Sequence, residues 1–260
     1  MSKITAISYQ HEQPFGRIPI LGVQPTVEGG RWAAKAVAGE VIPFSANVFR
    51  EGHDSLGAEV LLTSPSGTQS VHRMHAGAPG SDLWHASVQL DETGSYRFRI
   101  RAFGDDYDTW HHTAVVKLAV GVDEELMMLE GVALFTRAAA EKDRSKANAK
   151  LLVELAETLA DQSKSPKDRL AAAETAAVKK AIANQPIRSL VTLSEEFPIK
   201  SERKLAGVGA WYEFFPRSEG AVFDEPSKTW KSGNFKTAAL RLPAVAEMGF
   251  NVLYMPPIHP

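Results

Sequence analysis

The chain has 260 residues, 29 basic and 31 acidic, for a formal net charge of −2. With 44% hydrophobic and 23% charged residues, it has the balance of a globular protein with a sizeable core, not of a disordered one. The near-neutral charge gives no basic footprint for nucleic acid. The absence of cysteine excludes disulfides, thiolate zinc sites and cysteine nucleophiles, and points to a reducing compartment. Met1–Gln13 lacks the apolar core of a secretory signal. No apolar run reaches the roughly 18 residues that a membrane span takes.

After a tail at 1–15, residues 16–122 read as β. Val41–Phe49 and Ala58–Thr63 are strand candidates, and turn clusters stand at Glu28–Gly30, Ser64–Gly67, Gly77–Gly80 and Asp91–Gly94. Tyr96–Arg101 alternates apolar with basic side chains, the period-two signature of a half-buried strand. Past a loop at Gly104-Asp105-Asp106, the residues Val116, Leu118 and Val120 continue that alternation. Short strands punctuated in this way predict an immunoglobulin-like β-sandwich.

Residues 123–186 turn helical, rich in alanine, lysine, glutamate and leucine. Leu126, Leu129, Val132 (or Ala133) and Phe135 fall at helical spacing, as do Leu151, Leu152, Leu155 and Leu159. Ser165-Pro166-Lys167-Asp168 places a capping serine before a proline at the first helical position. A third helix through Leu170, Ala173, Ala177 and Ala181 stops at Asn184-Gln185-Pro186. Three amphipathic helices predict a small bundle inserted into the β region. Residues 187–204 are β-like again, at Leu190–Leu193 and Phe197–Ile199. They are either a connector or, the favoured reading, a return that completes the sandwich.

Residues 205–260 differ from both. Gly209–Pro216 is a short aromatic strand, and Phe235–Met248 has the spacing of a helix that Pro243 kinks or restarts. Gly249 caps that helix, and Asn251–Met255 is an apolar run that predicts a doubly buried strand closed by Pro256-Pro257. Strand, helix and strand make a βαβ unit, whose two strands should be parallel.

Candidate chemistry is thin. Sugar transfer needs two carboxylates about one bond, and Glu213, Glu219, Asp224, Glu225 and Glu247 show no spacing that pairs them. His111 and His112, read on a strand, point to opposite faces, and His72 and His75 flank a glycine-rich stretch. No metal-ligand spacing occurs, so no metal is expected. Gly207-Val208-Gly209 precedes a strand and is no dinucleotide fingerprint. The Lys179-Lys180 cluster reads as a solvated helix face. Trp32, Trp84, Trp110, Trp211 and Trp230 are stacking or core rings, with Trp84 and Trp110 read as sandwich core. Tyr254 and His259 lie at and past the end of a parallel strand, the side where barrel enzymes place their working loops. They are the only substrate-side candidates, and weak ones.

Trp211–Ser218 resembles the first barrel strand of the α-amylase superfamily, and Gly249–Pro260 resembles the second. Joined by Arg241–Met248, they are most similar to one branch, the α-1,4-glucan:maltose-1-phosphate maltosyltransferases. Gly16–Ile20 and Gly29–Trp32 match the openings of that family's N-terminal sandwich. The resemblance implies a multidomain protein: sandwich, helical bundle insertion, then the first βαβ unit of an incomplete (β/α)8 barrel at 205–260. It implies transfer of maltosyl units from maltose 1-phosphate to the non-reducing end of an α-1,4-glucan, with retention and no cofactor. A cytoplasmic homodimer follows from the same resemblance, with no nucleic-acid or membrane partner. A (β/α)8 barrel takes roughly 250 residues, so the family's catalytic carboxylates fall beyond Pro260. The chain is therefore expected to be an N-terminal portion carrying no catalytic residue, and inactive alone. The alternatives are the N-terminal part of another α-amylase superfamily enzyme (branching, debranching or hydrolytic) and a stand-alone glucan-binding or dimerisation module.

Overall fold

Residues 16–258 are described by a computed structural model, so the tail at 1–15 lies outside the described residues. Eight strands come first: β1 (Ile20–Gln24), β2 (Ala34–Val37), β3 (Glu40–Val48), β4 (Leu56–Thr63), β5 (Gln69–Arg73), β6 (His75–Ala76), β7 (Leu83–Leu90) and β8 (Gly94–Asp105). Alternation decides which side chains go inward. Ile42, Phe44, Ala46 and Val48 of β3 are buried, as are Tyr96, Phe98, Ile100 and Ala102 of β8. Phe44 and Phe98 meet edge to face, with ring centroids 4.9 Å apart. The arginines between them, Arg97 and Arg99, stay exposed as the period-two reading expects.

The strand expected at Val116–Val120 is instead the end of a helix, α1 (Asp106–Ala119). The Asp105 carboxylate accepts the Asp108 N–H at 3.1 Å, and Asp106 and Asp108 place negative charge in the first turn. Those are start signals of a helix, so the Gly-Asp-Asp stretch read as a loop carries a cap. His111 and His112 therefore lie on a helix, and Trp110 packs in a helical core rather than between sheets.

Four more helices follow: α2 (Glu124–Ala139), α3 (Lys146–Ala160), α4 (Pro166–Ala173) and α5 (Ala176–Asn184). The stripe that α2 buries is Met127, Met128, Gly131, Leu134, Phe135 and Ala138, while Leu126 and Leu129 are exposed. Gly131 explains the rotation from the expected face. A Cβ there would lie 2.6 Å from the Trp110 ring and 2.8 Å from Leu159, so this bare backbone is where the bulky neighbours approach. The single helix expected from Leu170 to Ala181 is broken at Glu174-Thr175. The Thr175 hydroxyl accepts from Val178 N–H and restarts it. Ser165 caps α4 as its sequence predicts.

The chain then forms β9 (Arg188–Leu193) and β10 (Phe197–Glu202). β9 pairs antiparallel with β8, with Gly104 opposite Ser189 and Asp105 opposite Arg188. Among the described residues the larger sheet runs β2-β10-β8-β4-β5 with β9 also on β8, and the smaller runs β1-β3-β7-β6. The helices thus leave from one strand and return to its neighbour.

Two compact units result. One comprises the described residues up to Ala34, Val41–Val88 and Ser95–Ile199; the other comprises Lys35–Glu40, Gln89–Gly94 and the described residues from Lys200. The second unit holds β11 (Trp211–Glu213), β12 (Val222–Asp224), β13 (Thr229–Lys231), α6 (Phe235–Ala239), α7 (Leu242–Glu247) and β14 (Val252–Tyr254). β11 and β14 pair in parallel, Trp211 opposite Val252 and Glu213 opposite Tyr254. The helix between them is restarted, not kinked: Pro243 sits in the first turn of α7. Gly249, with φ of 89°, ends it. β14 is not doubly buried: Val252 and Leu253 are half-buried and Tyr254 is exposed. Its described ladder partner is β11, so the apolar run has neighbours on one side of the strand, not a sheet with both faces covered.

Candidate functional site

The substrate-side residues expected from the sequence stand on β14 and beyond. Tyr254 is 48% exposed at the last rung of the parallel pair, opposite Glu213. His259 lies outside the described residues. The preceding rung carries an aromatic cluster, which alternation turns to the other face of the pair. Tyr212 stacks obliquely on Phe250 at 5.1 Å and meets Phe214 at 6.5 Å.

The acidic candidates of this unit are scattered. Asp224 accepts the Ser227 hydroxyl and the Lys231 ammonium, the latter at 3.1 Å. The Ser227 hydrogen bond, with Lys231 next, holds its carboxyl below the usual range. Glu225 is paired with Lys228. Both carboxylates are thus engaged by cations on their own hairpin, which suits a rigid surface better than proton transfer.

Among the described residues the histidines make no metal centre. His111 donates its Nε2–H to the Glu174 carboxylate at 2.8 Å and stacks on Tyr107 at 5.6 Å. His75 and His85 face each other across β6 and β7 with centroids 6.4 Å apart. Among the described residues no group of three or more histidines and carboxylates could hold a metal ion.

The first unit contains a polar network that composition alone does not reveal. Glu59 is buried in the middle of β4, and its two carboxylate oxygens take Arg101 at 2.5 Å and Arg188 at 2.7 Å. The Arg188 guanidinium lies 5.0 Å over the Phe103 ring. Nearby, buried Asp105 accepts Arg73 at 2.7 Å while it caps α1. These pairs tie β4, β5, β8, β9 and the start of α1 together. Beside them runs a groove of about 510 Å³, lined by Arg50, Asp54, Asp106, Arg137, Ser189 and Leu190 among others. Four of its charges are paired: Arg50 with Asp54 at 3.0 Å, and Arg137 with Asp106, which accepts the Ser189 hydroxyl as well. The alternating arginines of β8 were the available signal, but the partner Glu59 was hidden in an apolar run.

Tyr107 links this region to the helical core. Its hydroxyl donates to the Ala173 carbonyl at 3.0 Å. Burial, with added negative charge from Asp108, Glu174 and Asp105, pushes the phenol up to about 12. An unfolded tyrosine ionises near pH 10, so folding loses stability as pH rises from about 10 towards 12, by roughly 2 kcal/mol. Tyr107→Phe is expected to begin about 1 kcal/mol less stable at neutral pH and to lack that alkaline decline. Urea midpoints measured between pH 8 and 11.5 check this; parallel declines in both proteins would refute it.

Comparison with known proteins gives this arrangement a context. Residues 16–203 match a family model described as α-1,4-glucan:maltose-1-phosphate maltosyltransferase, domain N/S. Along 98% of its length the chain is 46% identical to α-1,4-glucan:maltose-1-phosphate maltosyltransferase 1 of Streptomyces coelicolor, covering 37% of that protein. It is 36% identical to the Mycobacterium tuberculosis maltosyltransferase over 94% of its own length and 38% of the relative's. The Corynebacterium glutamicum maltosyltransferase is 37% identical, at 94% and 37% coverage. The chain thus spans a little over a third of the length of these relatives and corresponds to their N-terminal portion. No helix among the described residues is long and apolar enough to cross a membrane. With most of its residues matched by the domain N/S model, the chain belongs to the α-1,4-glucan:maltose-1-phosphate maltosyltransferase family.

Proposed function

We propose that this chain is the N-terminal portion of an enzyme that transfers maltosyl units from maltose 1-phosphate to the non-reducing end of α-1,4-glucans with retention. The observation that carries the reading is the 46% identity to a maltosyltransferase along 98% of the chain. In this reading the two sheets form an immunoglobulin-like sandwich whose strands end at Asp105, interrupted by a helical bundle that starts at α1 rather than at residue 123, and completed by 187–204. The parallel β11 and β14 pair supports residues 205–260 as the first βαβ unit of a (β/α)8 barrel.

Retaining transfer needs two carboxylates about 5–5.5 Å apart across the scissile bond. The paired states of Asp224 and Glu225 support placing both catalytic groups on later barrel strands. The chain then supplies structure, with Tyr254 and His259 near the rim of the site. The enzyme is proposed to be a cytoplasmic homodimer needing no cofactor, with maltose 1-phosphate and α-1,4-glucan as its partners.

Phosphate release from maltose 1-phosphate in the presence of glycogen tests this reading. The full-length enzyme should release phosphate in proportion to maltosyl units added, and residues 1–260 alone should release none. A full-length enzyme with no transfer would overturn the activity. Release by the 260-residue chain would overturn the placement of the catalytic groups.

A further inference from the structure

The β12–β13 hairpin has a surface that nothing above uses. Phe223 and Trp230 stand directly opposite each other in its ladder, so both rings project from one face. They meet edge to face at 5.5 Å and 63°. Trp230 is 70% exposed, while Phe223 is 37% exposed. The phenyl edge props the indole, so an aromatic plate is presented to solvent with its orientation already set. An exposed aromatic surface held this way can receive a flat apolar ligand face.

The surroundings narrow the ligand. Asp224 and Glu225 are matched by Lys231 and Lys228, so the hairpin carries no net charge with which to capture an anion. On the next rung Asp224 and Thr229 are both bonded to Ser227, and alternation turns them to the other face of the hairpin. A flat apolar face on a hairpin without net charge fits the C–H surface of a neutral pyranose. It does not fit a sugar phosphate.

The hairpin is also anchored. Gly233, just past β13, donates its N–H to the Arg217 carbonyl at 2.8 Å. A Cβ on Gly233 would lie 2.1 Å from the Glu219 carbonyl oxygen and 2.7 Å from that of Pro216. The base of the hairpin is therefore pressed onto the backbone leaving β11. This segment connects the C-terminal end of a parallel strand to its helix, the side on which (β/α)8 enzymes bind their ligands.

We infer that Trp230, propped by Phe223, is a stacking platform for the α-1,4-glucan acceptor rather than for maltose 1-phosphate. The inference rests on the activity proposed above and adds an acceptor-specific residue to it. Trp230→Ala in the full-length enzyme should raise KM for maltoheptaose about tenfold, the scale of one lost aromatic stack. KM for maltose 1-phosphate and kcat should stay as in the parent, and Trp230→Phe should recover most of the acceptor affinity. Maltoheptaose binding without donor, followed by calorimetry, should weaken to the same extent. Unchanged acceptor KM in an active Trp230→Ala enzyme would overturn the inference. So would a variant that loses stability and raises both KM values together, since the ring would then be packing against protein. If the parent transfers no maltosyl unit yet binds maltoheptaose through Trp230, the platform stands and the proposed reaction falls.

Discussion

Phe135→Ala is expected to lower the stability of the helical region by about 3–5 kcal/mol, the usual cost of emptying a large core position. Phe135 is fully buried, with Trp110 edge-on at 5.3 Å and Tyr107 at 6.2 Å. These rings fill the space where α1 crosses α2, and Gly131 keeps that space open. Little can collapse into the hole, because the tryptophan is tethered by its N–H to the Met127 carbonyl at 2.8 Å. Leu129→Ala is the control. Leu129 is 62% exposed, so its loss should cost less than about 0.5 kcal/mol. Urea unfolding followed at 222 nm, where helix dominates, separates the two. Equal losses would mean that Leu129 is packed as deeply as Phe135, against its described exposure.

Glu59→Ala should cost about 3 kcal/mol or more, because it strands Arg101 and Arg188 against a largely desolvated strand. The cause is less the lost attraction than the unpaired charges left behind. Glu59→Gln keeps the shape and one acceptor and should recover only part of the loss. Glu196 makes the comparison. It bridges Arg97 at 2.8 Å and Arg99 at 3.7 Å on the exposed face of the same sheet, where solvent screens the pair. Glu196→Ala should cost at most about 1 kcal/mol, and 1 M salt should erase most of that. The Glu59 deficit should survive salt. Equal salt sensitivity for the two variants would remove the distinction between buried and surface pairing.

The β strands were legible because alternation survives in a single stretch of chain: Tyr96 to Arg101 displays its inner and outer faces in six consecutive letters. α1 was not legible. Its opening, Asp-Tyr-Asp-Thr-Trp-His-His, contains few strong helix formers, and what holds it helical is the burial of Tyr107 and Trp110 among α2, α3 and α4. Propensity gave way to tertiary packing there. On α2, leucines suggested one face, but Gly131 faces the core because a bare backbone admits Trp110, which spacing cannot express. Glu59 sits within Leu-Gly-Ala-Glu-Val-Leu-Leu, and its arginines are 42 and 129 residues away in sequence. A pair like that is visible only in space. The βαβ order and the position of Tyr254 could be read from glycine, proline and apolar spacing. The prominence of Trp230 could not, since exposure belongs to the fold and not to the letter.

The return of β9 to β8 bears on how the chain finds its structure. Asp105 and Arg188 are rung partners, yet the whole helical segment lies between them. Bringing two such ends together through a floppy loop of that length would cost about 4 kcal/mol in chain entropy. A helical segment already condensed around Trp110 and Phe135 holds its own ends close and removes most of that cost. The ladder between β8 and β9 should therefore zip up late, after the helices have gathered. In refolding, amides of α2 would become protected from hydrogen exchange before those of β9, and Phe135→Ala would slow closure of a sheet it does not touch.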